Sequence, residues 1–113
     1  HTKGTFYEID KDGNKSTRIV GDNYEVVAGS DFVNIKGTAN LTIDSNCNTY
    51  IKGNWNIQVD GTKTEVVTGA VSETYKSTKT ENVTGAVQET FSSTQTTNVS
   101  SNVTITGSRI DLN

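Results

Sequence analysis

The sequence predicts an all-β fold, an intertwined triple-stranded β-helix in which three identical chains form a triangular prism. Three observations carry this reading. Hydrophobic residues make up only 31% of 113 residues, with no Pro, no Met and two Leu, so a helical domain with a Leu-rich interior is excluded. In their place stand 19 Thr and 12 Val, which suit a pleated surface, and 12 Asn, 10 Ser and 10 Gly, which permit bends. The third observation is a strict period of eight residues.

The opening segment, residues 1–17, reads as a lead-in. Asp12-Gly13 sets a hairpin turn within it. Asp10, Asp12 and Asn14 have the spacing of a calcium loop, but that loop requires Gly where Lys15 stands and Glu where Gly21 stands, so a plain turn is expected.

The octads occupy residues 18–107. Stepping by eight from Gly13 gives Gly21, Gly29, Gly37, Ser45, Gly53, Gly61, Gly69, Ser77, Gly85, Ser93 and Ser101, so every position is Gly or Ser. Two residues earlier run Ile19, Val27, Ile35, Ile43, Ile51, Val59, Val67, Tyr75, Val83, Phe91 and Val99, all β-branched or aromatic. Six extended residues reach roughly 20 Å, after which a small residue lets the chain turn, with φ > 0 as the expected reason for glycine. Alternation puts two further columns on the face of the Val column. One runs from Glu25 through Val33, Leu41, Ile57, Glu65, Glu73, Glu81 and Glu89 to Ile105, the other from Asn23 through Cys47, Trp55, Lys63, Val71, Lys79 and Val87 to Val103. This inward face is apolar from about Val33 to Val59 and mixed from Lys63 to Glu89. The opposite face is mostly Asn, Thr, Ser, Gln, Lys and Asp, with Tyr24, Phe32, Tyr50 and Val66 as exceptions.

Corners of about 120° close one turn in 24 residues, which either a single-chain solenoid or an interwound trimer satisfies. The trimer is favoured because a chain of this size and polarity is marginal alone, and three-fold closure gathers each inward column around one axis. Twelve octads stacked at about 4.8 Å would make a stiff rod of roughly 55–60 Å. Isolated charges inside such a wall are costly, so Lys63 with Glu65 and Lys79 with Glu81 are expected to pair with neighbouring layers or to hold an axial ion or water. No other cofactor and no metal is expected.

At residues 107 and 109 both columns break, to Gly107 and Arg109. Residues 108–113 therefore read as an end layer.

Chemistry finds little footing in these residues. The one His is at position 1, Cys47 has no His near it, and the Glu column repeats at eight instead of pairing across a cleft, so no catalytic residue is assigned. A net charge of −3 with scattered basic residues argues against a nucleic-acid partner. Asn40, Asn82, Asn98 and Asn102 match glycosylation sequons as by-products of the Thr, Asn and Val repeat. No long apolar run or charged-then-apolar leader is seen, so neither a membrane helix nor a signal peptide is expected, and the lack of Met suggests a piece of a longer protein.

The Val-x-Gly octads from about Arg18 to Asn113 resemble the C-terminal needle of the central baseplate spike of contractile-tailed bacteriophages, to which the valine-glycine-repeat spikes of type VI secretion are related. Ser at four corners and the aromatic Tyr75 and Phe91 depart from that pattern. The resemblance implies a homotrimeric needle without enzymatic activity that pierces the bacterial outer membrane during tail contraction, touching it transiently. It would be located in the virion, in the central spike of the tail baseplate, after assembly in the host cytoplasm. It would be joined to other baseplate proteins through N-terminal domains beyond this chain. It also implies a conical tip protein of the proline-alanine-alanine-arginine (PAAR) repeat type, docking on Ser108, Arg109, Ile110, Asp111, Leu112 and Asn113. The same prism would also serve as the rigid shaft of a tail fibre or surface adhesin, which is the alternative reading. A carbohydrate-processing β-helix enzyme would need paired carboxylates in a groove, which these uniform octads do not offer.

Overall fold

The computed structural model describes residues 3–113. His1, the one histidine, lies outside the described residues. The chain divides into two units, His1–Ile57 and Gln58–Asn113. No helix forms among the described residues, and the backbone is extended in the manner of an all-β chain.

The first unit opens with a hairpin, β1 (Phe6–Ile9) and β2 (Lys15–Arg18), paired antiparallel from Phe6 opposite Arg18 to Ile9 opposite Lys15. Its turn is built on Asp10. The Asp10 backbone N–H donates to the Asn14 carbonyl at 3.0 Å, and the Gly13 N–H donates to the Asp10 carbonyl at 3.2 Å. One carboxylate oxygen, Oδ1, accepts from the backbone N–H groups of Asp12 and Asn14, each at 2.9 Å, while Oδ2 accepts from Asn14 Nδ2 at 3.1 Å. Gly13 takes φ +83°, where a Cβ would be strained, so the Asp-Gly signal and the turn agree. The carboxylate that a calcium loop would offer to an ion is thus taken up inside the turn. Behind the hairpin, the Val20 N–H donates to Thr5 Oγ1 at 3.1 Å and ties the first octad to the lead-in.

From there the backbone bends every eight residues. In the first unit bends fall at 20–21, 28–29, 36–37, 44–45 and 52–53; in the second they fall at 60–61, 68–69, 76–77, 84–85, 92–93 and 100–101. Each bend pairs a Gly or Ser with the residue before it, and six extended residues separate successive bends.

One sequence expectation needs correction here. Gly21, Gly29, Gly37, Gly53, Gly61, Gly69 and Gly85 do not take positive φ, which among the described residues only Gly4 and Gly13 adopt. A Cβ built on any of those seven meets nothing within 4 Å in its own chain. The bend therefore lies in backbone geometry open to any L residue, which is why Ser45, Ser77, Ser93 and Ser101 occupy the same position. A single-chain solenoid, the disfavoured arrangement, would pair octads 24 residues apart; the one sheet among the described residues is β1 with β2.

Among its described residues the chain has no core. None of the described residues is buried, and its surface of 12866 Å² is about twice the roughly 6,100 Å² that area-to-mass scaling gives a folded monomer of 12.2 kDa.

Candidate functional site

Among the described residues no octad is buried or paired with another, so the surfaces that the octads leave open are the candidate site. The Val column is half-exposed: Val27, Ile35, Ile43, Ile51, Val59, Val67, Val83 and Val99 are 43–57% exposed. Apolar residues on the opposite face stand free, with Tyr24 at 88%, Phe32 at 91% and Val26 at 93%. The single chain does not bring the members of this column together into a packed cluster.

Several side-chain pairs link residues two apart and so lie on one face of an extended span. Lys63 Nζ meets Glu65 Oε1 at 3.1 Å, and Lys79 Nζ meets Glu81 Oε1 at 2.8 Å. The charges expected to seek neighbouring layers thus pair within their own strand. The Tyr75 hydroxyl donates to Glu73 Oε2 at 3.0 Å, and Lys79 Nζ stands 5.1 Å from the Tyr75 ring centroid. Glu73, Tyr75, Lys79 and Glu81 thus form one polar cluster around the bend at 76–77. Within it the hydrogen bond to Glu81 raises the Lys79 ammonium above its ordinary value, and the same bond lowers Glu81. The hydrogen bond to Glu73, with its charge, raises the Tyr75 phenol. Tyr75 had stood out in the sequence only as an aromatic in the Val column. The signal that identifies its role is its position two residues after Glu73 and four before Lys79 on one face.

Cys47 is exposed, with its Sγ 4.0 Å from Thr49 Oγ1. At the register break the geometry changes. A Cβ on Gly107 would stand 3.4 Å from the Arg109 carbonyl oxygen and 3.8 Å from Ile110 Cγ1, unlike the open glycines before it. Arg109 Nε donates to Asp111 Oδ1 at 2.9 Å, while Ile110 and Leu112 are exposed. Among Ser108, Arg109, Ile110, Asp111, Leu112 and Asn113 the backbone bends at Ser108, eight residues after the bend that begins at 100, so the spacing of bends continues where the residue columns break.

One relative bears on this surface. Over 50 residues the chain is 42% identical to protein Gp5 of Vibrio phage KVP40. The match covers 44% of this chain and 12% of that phage protein, so the chain spans about an eighth of the length of the relative it matches. No family model and no solved structure matches the chain. The similarity therefore relates part of this extended, bend-repeating chain to a phage protein.

Proposed function

We propose that the chain is a structural part of a phage tail baseplate. In this reading, three copies interwind into a triple-stranded β-helix that serves as a membrane-piercing needle without chemistry of its own. The observation that carries the proposal is the coreless surface: six-residue extended spans, bent on an eight-residue period, with half-shielded Val and Ile on one side and no ladder partner in the chain. Unpaired backbone groups and uncovered apolar columns are costly together. Three chains related by a three-fold axis remove both costs, because each octad then lies between octads of its two neighbours and the columns converge. The similarity to the phage protein Gp5 supports a place in the virion.

A wall of hydrogen-bonded strands with no long flexible loop is suited to carrying axial force. The mixed stretch from Lys63 to Glu89 enters such a wall with its ion pairs already made within each strand. The glycine corners then serve the approach of one chain to another, since nothing within the chain demands them. The segment Ser108 to Asn113, where the octads lose register, is the proposed docking platform for a conical tip protein. Deleting it while leaving the repeat intact should abolish pull-down of that tip protein, and undiminished binding would refute the assignment. Native mass spectrometry tests the assembly, with a species of three times 12.2 kDa expected. Gold-labelled antibody on phage particles tests the location, with label expected at the baseplate centre and not along tail fibres.

A further inference from the structure

We infer that the run of charged residues just before the corners from 36 to 60 sets the register between chains, with Asp44 of one copy held between Lys36 of a second copy and Lys52 of a third. The inference rests on the trimeric reading above and names the contact that selects its register. Lys36, Asp44 and Lys52 occupy the same place in successive octads, the first residue of the bends at 36–37, 44–45 and 52–53, and all three are exposed. The column alternates in sign, and the sequence continues the alternation at Asp60. Among the described residues, ion pairs form at Lys63–Glu65, Lys79–Glu81 and Arg109–Asp111, and none of the three residues takes part in one.

Within a chain the three cannot meet. Six extended residues separate consecutive bends by roughly 20 Å, beyond the reach of a Lys and an Asp side chain. A second copy brings them together by symmetry. Three-fold symmetry puts the same octad of all three chains at one height on three faces, and each chain advances one face per octad. The octad that ends at Ser45 therefore lies on a face between a neighbour's octad ending at Gly37 and another neighbour's octad ending at Gly53. Parallel strands at about 4.8 Å then place Asp44 beside Lys36 on one side and Lys52 on the other. A slip of one layer would set Lys36 against Lys52, and Asp44 against Asp60. Coiling of one chain on itself with a 24-residue turn would set Lys52 against Lys76 but Lys36 against Asp60, one repulsion against one attraction. Alternation therefore opposes the slipped trimer and favours the register of three chains, where Lys36–Asp44, Asp44–Lys52 and Lys52–Asp60 are all opposite in sign, over a single-chain coil that gains nothing on balance.

Carbodiimide, which joins a carboxylate to an amine with loss of water and inserts no spacer, tests the contact directly on the assembled protein. Peptide mapping of the cross-linked bands should find Asp44 joined to Lys36 and to Lys52. Asp44→Lys should lower the thermal midpoint in low salt more than Asp44→Ser does, and about 1 M salt should remove most of that difference. The swap of Lys36→Asp, Asp44→Lys, Lys52→Asp and Asp60→Lys restores alternation and should recover the midpoint even if Asp44→Lys alone fails to assemble. A trimer by native mass that gives no such cross-links, and in which Asp44→Lys and Asp44→Ser melt alike at both salt concentrations, would overturn the inference and leave the trimer standing. A monomeric mass for the unmodified protein would overturn both.

Discussion

Ile43→Ala separates a chain that stands alone from one that completes its core with neighbours. Ile43 lies in the half-shielded column and is 45% exposed in the single chain, so truncating it there removes little burial and should stay within the range of an ordinary surface change, about 0.5 kcal/mol. In the proposed trimer, three Ile43 side chains converge near the axis. Three lost carbons at about 0.8 kcal/mol each, with a cavity left behind, bring the cost to about 2–5 kcal/mol per chain. Summed over three copies that is about 6–15 kcal/mol per assembly, enough to abolish it or shift its unfolding by a wide margin. Val26→Ala is the internal control: Val26 is 93% exposed on the opposite face of the same unit and should cost about 0.5 kcal/mol or less in either state. Guanidinium unfolding followed by far-ultraviolet circular dichroism, repeated at two protein concentrations, reads both effects. A trimer's midpoint must also rise with concentration. Equal midpoints for Ile43→Ala and Val26→Ala, independent of concentration, would refute the reasoning.

Other outcomes follow from the same geometry. Because Gly61 needs no positive φ and a Cβ there meets nothing in its own chain, Gly61→Ser should be nearly silent, while Gly61→Val should cost about 1–3 kcal/mol per chain by crowding between copies; equal melting of the two variants would remove that crowding. Asp10→Ala should open the hairpin turn, read as loss of the shifted Asp12 and Asn14 amide resonances in nuclear magnetic resonance spectra. Hydrogen bonding, chiefly from Asn14, holds the Asp10 carboxyl below its ordinary 3.8, so the turn's stabilisation is complete above that value and is lost as pH falls through the lower folded value. An unchanged turn below that range would contradict the assignment. Around the bend at 76–77, Glu81 is lowered from 4.5, so its contribution is lost as pH falls, whereas Lys79 is raised from 10.5 and Tyr75 from 10.0, so theirs are lost as pH rises. Melting against pH should show a plateau between those limits, and Lys79→Gln should weaken the fall on both sides; a profile unaltered by that change would mean the cluster contributes nothing.

Much of this architecture was legible because its signals are local. A bend every eight residues follows from small residues at one position, and a hairpin at Asp12-Gly13 follows from a turn that needs one residue at positive φ. The reason for glycine at the corners was not legible from the Gly positions alone. The four Ser corners held the better clue, because Ser rarely adopts positive φ and its presence already pointed to a bend of ordinary backbone geometry. The partners of the strands lie further still from any local signal. An extended span records which face is apolar but not how many chains share it, and the same Val column would serve a solenoid or a trimer. What distinguishes them is a relation between octads, the sign of the charge before each corner compared with its neighbours 8 and 24 residues away. At a spacing of 8 the run Lys36, Asp44, Lys52 and Asp60 gives three contacts in a row between opposite charges, whereas at a spacing of 24 it gives one attraction, Lys36 with Asp60, and one repulsion, Lys52 with Lys76. The charges before the corners therefore add up only when three chains share the wall, and in a chain coiling on itself they cancel.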